Sequence, residues 1–265
     1  MTAPPNGWTA LVLAGQRPGV DPMAAHFGTE MKALIPVAGE LMLNRVLEAL
    51  LDAPEVARIV VLAQNTLQLR AHRDLAWAVE EPTIAFRVSG PTISGSVLGA
   101  VEDPAIGLPL LVTTADNVML TPATIAEFVA GAGRSDVSVA FVERGNLERA
   151  VGPNKRTWLT FRDGAFTGAN LFALTGGGSV NALKFWEKVE ADRKSVLRLA
   201  AHFGPVLMVR LLLRQMTLTQ ALAAAGAKLG ASATPVVLSD GRMGVDVDKP
   251  EDHALAERLL GTAAA

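Results

Sequence analysis

Apolar runs that predict buried strands alternate with segments of helical periodicity along the first half of the chain. Each strand run is continuously apolar, which is typical of strands that helices cover on both faces. The predicted strands cover residues 9–13, 58–62, 83–88 and 108–114, and the predicted helices cover residues 41–51, 67–79, 94–101 and 122–132. Because strands that alternate with helices form parallel sheets, we predict a Rossmann-like, three-layer α/β/α fold with a mostly parallel sheet.

The second half is less regular and makes the predicted sheet a mixed one. Asp163 and Gly164 lie between two apolar runs and predict a hairpin turn. Residues 181–225 are predicted to be mostly helical, with a break at Gly204-Pro205. The other predicted elements are strands at 137–142, 157–161, 169–174, 235–238 and 244–247, an exposed loop at 143–155 and a closing helix at 250–260. We find no linker between domains, so we predict one domain over residues 1–265.

Composition excludes several classes of protein and of site. The 265 residues carry a net charge of −2, which argues against nucleic-acid binding because that needs a basic surface. There is no cysteine, so disulfides, thiolate metal sites and cysteine nucleophiles are excluded. The sequence contains no run of about 20 apolar residues, which is the length that a helix needs to span a bilayer. The N-terminus lacks a signal-peptide pattern. We therefore expect a cytoplasmic protein, and its oligomeric state stays open.

A glycine turn follows the first predicted strand. Gly15 would let the backbone approach a ligand and offer its N–H groups to phosphate oxygens. Arg17 and Lys32 would supply cations for a polyphosphate. An ordinary strand-to-helix connection has the same appearance, and neither the Walker pattern nor the dinucleotide glycine pattern is present.

Aspartates at two further places are candidate metal ligands. Asp116 follows the strand at 108–114, so its carboxylate is expected at the sheet edge where α/β proteins bind ligands. Asp246 and Asp248 are two residues apart in a predicted strand and would point to one face. Carboxylates together with substrate phosphates are typical Mg²⁺ ligands, and a divalent cation removes the repulsion between adjacent carboxylates. The alternative for Asp116 is that it caps the next turn.

These motifs together resemble those of the MobA-like NTP transferases. The resemblance rests on Leu13-Ala14-Gly15, on the run Lys-Ala-Leu-Ile-Pro-Val-Ala-Gly at 32–39, on Asp116-Asn117 and on Asp-Val-Asp-Lys-Pro-Glu-Asp at 246–252. It implies the GT-A, or sugar-nucleotide pyrophosphorylase, type of fold, with a nucleotide-binding half at about 8–120 and an acceptor-binding half at about 121–262. Two positions depart from the family pattern, because Gln16 replaces a glycine and Lys249 replaces a threonine.

The resemblance implies a nucleotidyltransferase that moves an NMP group from an NTP to a phosphorylated small-molecule acceptor and releases pyrophosphate. Lys32, Arg17 and Asp116 would carry the catalysis. Mg²⁺ would be held by Asp116 and Asp248, with Asp246 as a further candidate ligand. The nucleotide-binding candidates are Leu13, Ala14, Gly15, Gln16, Arg17, Lys32, Ser89, Gly90, Pro91 and Ser94.

Two implied subsites rest on less specific residues. Residues 88–96 resemble the base-recognition loop of the family, but they also fit a turn in which Ser94 caps a helix. Lys155, Arg156 and Asn170 are candidates for holding the acceptor phosphate, although short basic clusters are also common on solvated loops. The residues name neither the base nor the acceptor.

Two other functions remain open at this point. A glycosyltransferase of the same fold would use the aspartates to hold the metal of a nucleotide sugar, but the Lys32 motif argues against it. A non-catalytic nucleotide-binding or membrane-surface protein is the other alternative. In the helical stretch at 203–216, Arg210 and Arg214 flank an apolar face that could lie on anionic lipid. For that stretch we expect packing inside the protein instead.

Overall fold

Eight strands form one mixed sheet in the computed structural model, which describes residues 7–16, 19, 21–154, 156–191 and 203–261. The strands are β1 (Trp8–Leu13), β2 (Pro36–Val37), β3 (Glu40–Leu41), β4 (Val56–Ala63), β5 (Ile84–Val88), β6 (Leu110–Thr114), β7 (Val137–Glu143), β8 (Leu159–Phe161), β9 (Gly164–Leu174) and β10 (Ala233–Leu238). The sheet has the order β10-β7-β9-β6-β1-β4-β5, with β8 paired to β9, while β2 and β3 form a separate two-stranded ribbon.

Helices connect these strands and cover the sheet. They are α1 (Pro22–His26), α2 (Met42–Leu51), α3 (Thr66–Ala71), α4 (Ala76–Glu80), α5 (Ile93–Glu102), α6 (Pro122–Gly131), α7 (Arg144–Val151), α8 (Gly178–Ala191), α9 (Pro205–Leu212), α10 (Leu218–Lys228) and α11 (Pro250–Gly261). Short 3₁₀ turns lie at Lys32–Leu34, Arg73–Leu75 and Gly241–Gly244.

The predicted α/β fold with a mostly parallel, mixed sheet is confirmed. Strands β5, β4, β1 and β6 are parallel, and β9 is antiparallel to both β6 and β7. Along β1, Ala10 and Val12 pack into one apolar cluster while Leu11 packs into another on the opposite face. Both faces of the sheet are therefore buried, as the continuous apolar strands predicted. The Asp163-Gly164 hairpin is also confirmed, since Phe161 pairs with Gly164.

Four local predictions were wrong. The expected loop at 143–155 contains α7, which buries Leu147 on one side. The helix expected at 67–79 is interrupted because His72 is extended and its Nδ1 accepts from the Asp74 amide at 3.3 Å, which starts a new turn. Thr92 rather than Ser94 caps α5, since the Thr92 hydroxyl accepts from the Gly95 amide at 3.1 Å.

The fourth wrong prediction is the strand at 244–247. The chain there makes a 3₁₀ turn and then an extended segment without ladder partners. Val245 and Val247 are nevertheless buried, and Asp246 and Asp248 are more exposed. The alternating pattern therefore predicted correctly which side chains are buried, although the segment is not part of a sheet. The Val247 amide donates to the Asp116 carbonyl at 3.4 Å, which joins this segment to the loop after β6.

Gly241 sets the start of that segment because it packs directly on α7. A Cβ at this position would lie 2.1 Å from the Asn146 carbonyl oxygen, which is backbone and cannot move aside alone. We expect Gly241→Ala to lower the free energy of unfolding by about 2–3 kcal/mol, as overpacking does. Gly145→Ala, inside α7 with open space around it, is the matched control and should change stability by about 1 kcal/mol or less, in the stabilising direction. Urea denaturation of both variants checks this, and equal losses would contradict the close-packing explanation.

Candidate active site

A cleft of about 710 Å³ opens at the carboxyl ends of β1, β4, β5 and β6. Parallel strands bring these ends to one edge, where α/β sheets bind ligands. Of the residues predicted from the sequence, Leu13, Ala14, Gly15, Gln16, Lys32, Ser89, Pro91, Asp116 and Asp248 line the cleft. Arg17 and Lys155 lie outside the described residues, so their predicted roles stay predictions.

The turn after β1 packs against the side chain of Gln64, the residue directly after β4. The Gln16 amide donates to Gln64 Oε1 at 2.9 Å, and a Cβ on Gly15 would lie 2.8 Å from the same oxygen. A larger residue at this position would require the end of the Gln64 side chain to move. The physical reason for Gly15 is therefore at least partly this close contact.

Lys32 stands between two carboxylates at the floor of the cleft. Its Nζ donates to Asp116 Oδ2 and, at 2.6 Å, to Asp248 Oδ1. The Thr114 hydroxyl donates to the other oxygen of Asp116, which fixes the orientation of that carboxylate. The Lys32 and Asp116 side chains are mostly buried, whereas the Asp248 side chain is 58% exposed. Three chain segments, separated by 84 or more residues, thus meet at one ammonium group.

The ionisation of this group follows from its contacts. Burial opposes the charged form of Lys32, but the charge of Asp116 and the hydrogen bonds to both carboxylates outweigh burial and raise the pKa of Lys32. Burial likewise opposes the charge on Asp248, but the hydrogen bond and charge of Lys32 outweigh it and lower the pKa of Asp248. Lys32 and Asp248 are consequently both charged at neutral pH.

A second ionic group adjoins the first. Arg156 donates to Asp246 Oδ1 at 2.5 Å and to Asp252 Oδ1 at 3.4 Å, and its side chain is only 12% exposed. Asn170 Nδ2 donates to the other oxygen of Asp246 at 3.4 Å. Burial raises the pKa of Asp252, with the Arg156 charge acting against it. The structure thus brings together Arg156, Asn170 and Asp246, but it directs Asp246 to Arg156 and Asp248 to Lys32.

Asn117, directly after Asp116, joins the loop after β6 to β9. It is buried, and its Nδ2 donates to Thr113 Oγ1 at 3.1 Å and to the Ala169 carbonyl at 3.2 Å. Asn170 has a positive φ of 46°, a conformation that asparagine tolerates better than most residues. The loop after β6 and the middle of β9 are therefore fixed to each other.

The two ionic groups together carry an excess of negative charge. Four carboxylates share two cations in this region: Asp116, Asp246, Asp248 and Asp252 against Lys32 and Arg156. The resulting net charge of −2 is one that a divalent cation would balance. Asp116 and Asp248 already converge on a single cationic nitrogen, and hard oxygen donors of this kind suit Mg²⁺. The residues present therefore fit a divalent ion.

Part of the predicted base-recognition loop also lines the cleft. Ser89 and Pro91 line it, together with Thr92, Ile93 and Ser96. The Ser89 hydroxyl oxygen is buried without a hydrogen-bond partner among the described residues, so a ligand group could satisfy it. Ser94 is buried within α5, and neither it nor Gly90 lines the cleft.

Sequence reasoning missed several residues that line the cleft. They are Asp21, Pro22, Met23, Met42, Leu62 and Gln64. Gln64 could have been found, because it is a polar residue directly after a buried strand. Asp21 does not follow a predicted strand, and the short helix α1 that it caps was not predicted.

Comparison with known proteins agrees with this geometry. The family model described as the MobA-like NTP transferase domain matches residues 10–227. The chain belongs to this family. The match includes Lys32 and Asp116 but ends before Asp246 and Asp248, so the role of those two residues rests on their contacts alone. As a member of the MobA-like NTP transferases, the chain falls in a transferase family.

Solved structures support the same fold. A hypothetical transferase from Thermus thermophilus is 29% identical, with 93% of this chain and 99% of that chain covered and a TM-score of 0.77. At 10% identity, 4-diphosphocytidyl-2C-methyl-D-erythritol synthase from Anaerococcus prevotii covers 97% of this chain and 96% of its own, with a TM-score of 0.57. A nucleotidyl transferase from Methanothermobacter thermautotrophicus is 18% identical and has a TM-score of 0.54. The match covers 97% of this chain and 99% of that chain. The last two show the fold alone. A search of curated proteins finds no match.

Proposed function

We propose that the chain transfers a nucleotidyl group from an NTP to a phosphorylated small-molecule acceptor and releases pyrophosphate. The observation that carries the proposal is the Lys32 ammonium held by Asp116 and Asp248 at the floor of the cleft, below the glycine turn. Membership in the MobA-like family supports it. We propose that residues at about 8–120 bind the nucleotide, that the remainder contributes the acceptor side, and that the protein acts in the cytoplasm.

The reaction needs positioning and neutralisation of charge more than it needs a base. An oxygen of the acceptor phosphate, already ionised, forms a bond to the α-phosphorus. The bond from the α-phosphorus to the bridging oxygen of the β-phosphate breaks, and pyrophosphate leaves with the electron pair. Held reactants and fixed charges supply the main catalytic effects in such a step.

Lys32 would neutralise the leaving pyrophosphate together with the amides of the turn at residues 13–16. To do so its ammonium must turn from the two carboxylates toward the phosphates. Asp116 and Asp248 would then hold Mg²⁺, which when bound supplies positive charge to the α-phosphate and the acceptor oxygen. The same two carboxylates are therefore proposed to have a lysine partner without substrate and a divalent partner with it.

The acceptor subsite is proposed around Lys155, Arg156 and Asn170. Arg156 is already paired with Asp246 and Asp252, so we propose that it mainly holds the segment that carries Asp248. Asp246 is then a positioning residue rather than a direct metal ligand. The base would lie against Ser89, Pro91 and Ser96, and Gln64 would keep the glycine turn in place.

Pyrophosphate release from each of the four NTPs, with Mg²⁺ and a panel of phosphorylated acceptors, tests the proposed reaction. The expected result is a signal that needs one NTP and one class of acceptor. Release of a nucleoside diphosphate from a nucleotide sugar, with no pyrophosphate from any NTP, would replace the proposal with the glycosyltransferase alternative.

A further inference from the structure

Helix α9 presents an apolar face to solvent. Val206, Val209 and Leu212 are 72%, 51% and 77% exposed, and Leu213 directly after the helix is 62% exposed. Their spacing places them on one side of the helix. No residue of α9 is fully buried, although Leu207, Met208 and Leu211 are half-buried, so the packing inside the protein that the sequence led us to expect is only partial. Clusters of exposed large apolar residues in a monomer mark interaction surfaces.

Helix α9 is attached to the rest of the protein on both sides. Before α9, the Phe203 ring packs on the Phe185 ring of α8 with centroids 5.5 Å apart. After it, the Met216 carbonyl accepts from the Arg162 amide at 2.9 Å, and the Leu218 amide donates to Asp163 at 3.0 Å. Both ends are fixed to the body of the protein, which leaves the apolar side outward.

The charged residues of α9 and of the turn that follows it are both basic. Arg210 and Arg214 are exposed beside the apolar face, and neither forms an ion pair with any residue that the structure describes. Between residues 193 and 239 the sequence has six Lys and Arg and no Asp or Glu, in a chain whose net charge is −2. The segment that contains α9 thus contributes only positive side-chain charges of its own.

We propose that the face formed by Val206, Val209, Leu212 and Leu213, with Arg210 and Arg214, docks on an anionic lipid bilayer. An interfacial helix buries its apolar side at the boundary between headgroups and acyl chains, and basic residues beside it are attracted to anionic lipid. Helix α9 and the turn after it have both the apolar side and the basic residues beside it. The proposed association is at the bilayer surface. None of the described helices is long and apolar enough to cross a membrane. The proposal does not depend on the proposed reaction.

Vesicle flotation of the full chain tests the proposal. Vesicles of phosphatidylcholine alone are compared with vesicles that contain about one-third phosphatidylserine, which gives a strongly negative surface. The wild type is expected to float with the anionic vesicles and about tenfold less with the neutral ones. Val206→Gln/Leu212→Gln should weaken binding about tenfold or more, because two inserted side chains are lost. Arg210→Gln/Arg214→Gln should weaken binding to the anionic vesicles by about twenty-fivefold, because each cation contributes about fivefold.

The matched control is Leu159→Gln/Val237→Thr, which removes two other exposed apolar side chains, 46% and 43% exposed, from β8 and β10. It should bind vesicles as the wild type does. Thermal melting verifies that all variants are folded, as expected for exposed positions. Absence of wild-type flotation, or an equal loss in the control, overturns the proposal. So does a concentration-dependent dimer in sedimentation that Val206→Gln/Leu212→Gln abolishes without any vesicle binding, since the face would then bind a second copy.

Discussion

Lys32→Met is expected to reduce turnover by about three orders of magnitude while the protein stays folded. Lys32 Nζ is held at the cleft floor by Asp116 and Asp248, and its raised pKa keeps it charged at neutral pH. A fixed cation at the point where negative charge develops is typically the largest single contribution to such a transfer. Methionine keeps much of the side-chain volume without the charge. Initial rates of pyrophosphate release measure the effect.

The same variant should bind divalent cations more readily in the absence of nucleotide. In the wild type the ammonium already occupies the position between both carboxylates, so a metal ion must displace it. Without Lys32, two unneutralised carboxylates remain, which should cost about 1–2 kcal/mol of unfolding free energy, limited by the exposure of Asp248. Mn²⁺ binding followed by electron paramagnetic resonance should appear in Lys32→Met without NTP, and Mg²⁺ should raise its melting temperature more than that of the wild type.

Lys249→Met is the matched control for this prediction. Lys249 is exposed, adjoins Asp248 in sequence and forms no ion pair with the residues described. It should retain turnover within a few-fold and should leave Mn²⁺ binding unchanged. If Lys249→Met lost as much activity as Lys32→Met, the effect would be one of general surface charge, and the assigned role of Lys32 would be wrong.

Asp116→Asn is the second change with a large expected effect, again about a thousandfold in turnover. The amide has the size of the carboxylate and can still accept from Thr114, but it lacks the charge that would hold Mg²⁺. The rate that remains should need much higher Mg²⁺ concentrations. Measuring the rate as a function of Mg²⁺ separates this effect from a loss of stability, which thermal melting reports.

Glu251→Gln is the control for Asp116→Asn. Glu251 is an exposed acidic residue in the first turn of α11, three positions after Asp248. Removing its charge should leave both turnover and the Mg²⁺ dependence near those of the wild type. Unchanged activity in Asp116→Asn itself would remove Asp116 from the proposed metal site.

The parts of the site that follow a strand could be predicted from the sequence. Gly15 and Asp116 each come after a continuous apolar run, and the carboxyl ends of parallel strands share one edge. Asp248 was found for a reason that was only half right, because the segment alternates as expected but is not a strand. Gln64 obeys the same strand-end rule and was overlooked.

Contacts between distant segments could not be predicted. Arg156 and Asp246 are 90 residues apart, and nothing local shows that this arginine is paired rather than free. The sequence left open whether the apolar face of α9 is exposed or packed inside the protein, because both arrangements fit the same pattern. The pattern of one helix does not contain information about what, if anything, packs against it.

Calorimetric titration of the wild type with each of the four NTPs, with and without Mg²⁺, tests the central claim most directly because it needs no acceptor. The claim is that Lys32, Asp116 and Asp248 form a centre for a triphosphate and a divalent ion. We predict that at least one NTP binds, that binding requires Mg²⁺, and that Asp116→Asn loses it. Failure of every NTP to bind, or binding that neither Mg²⁺ nor Asp116→Asn affects, would contradict the account.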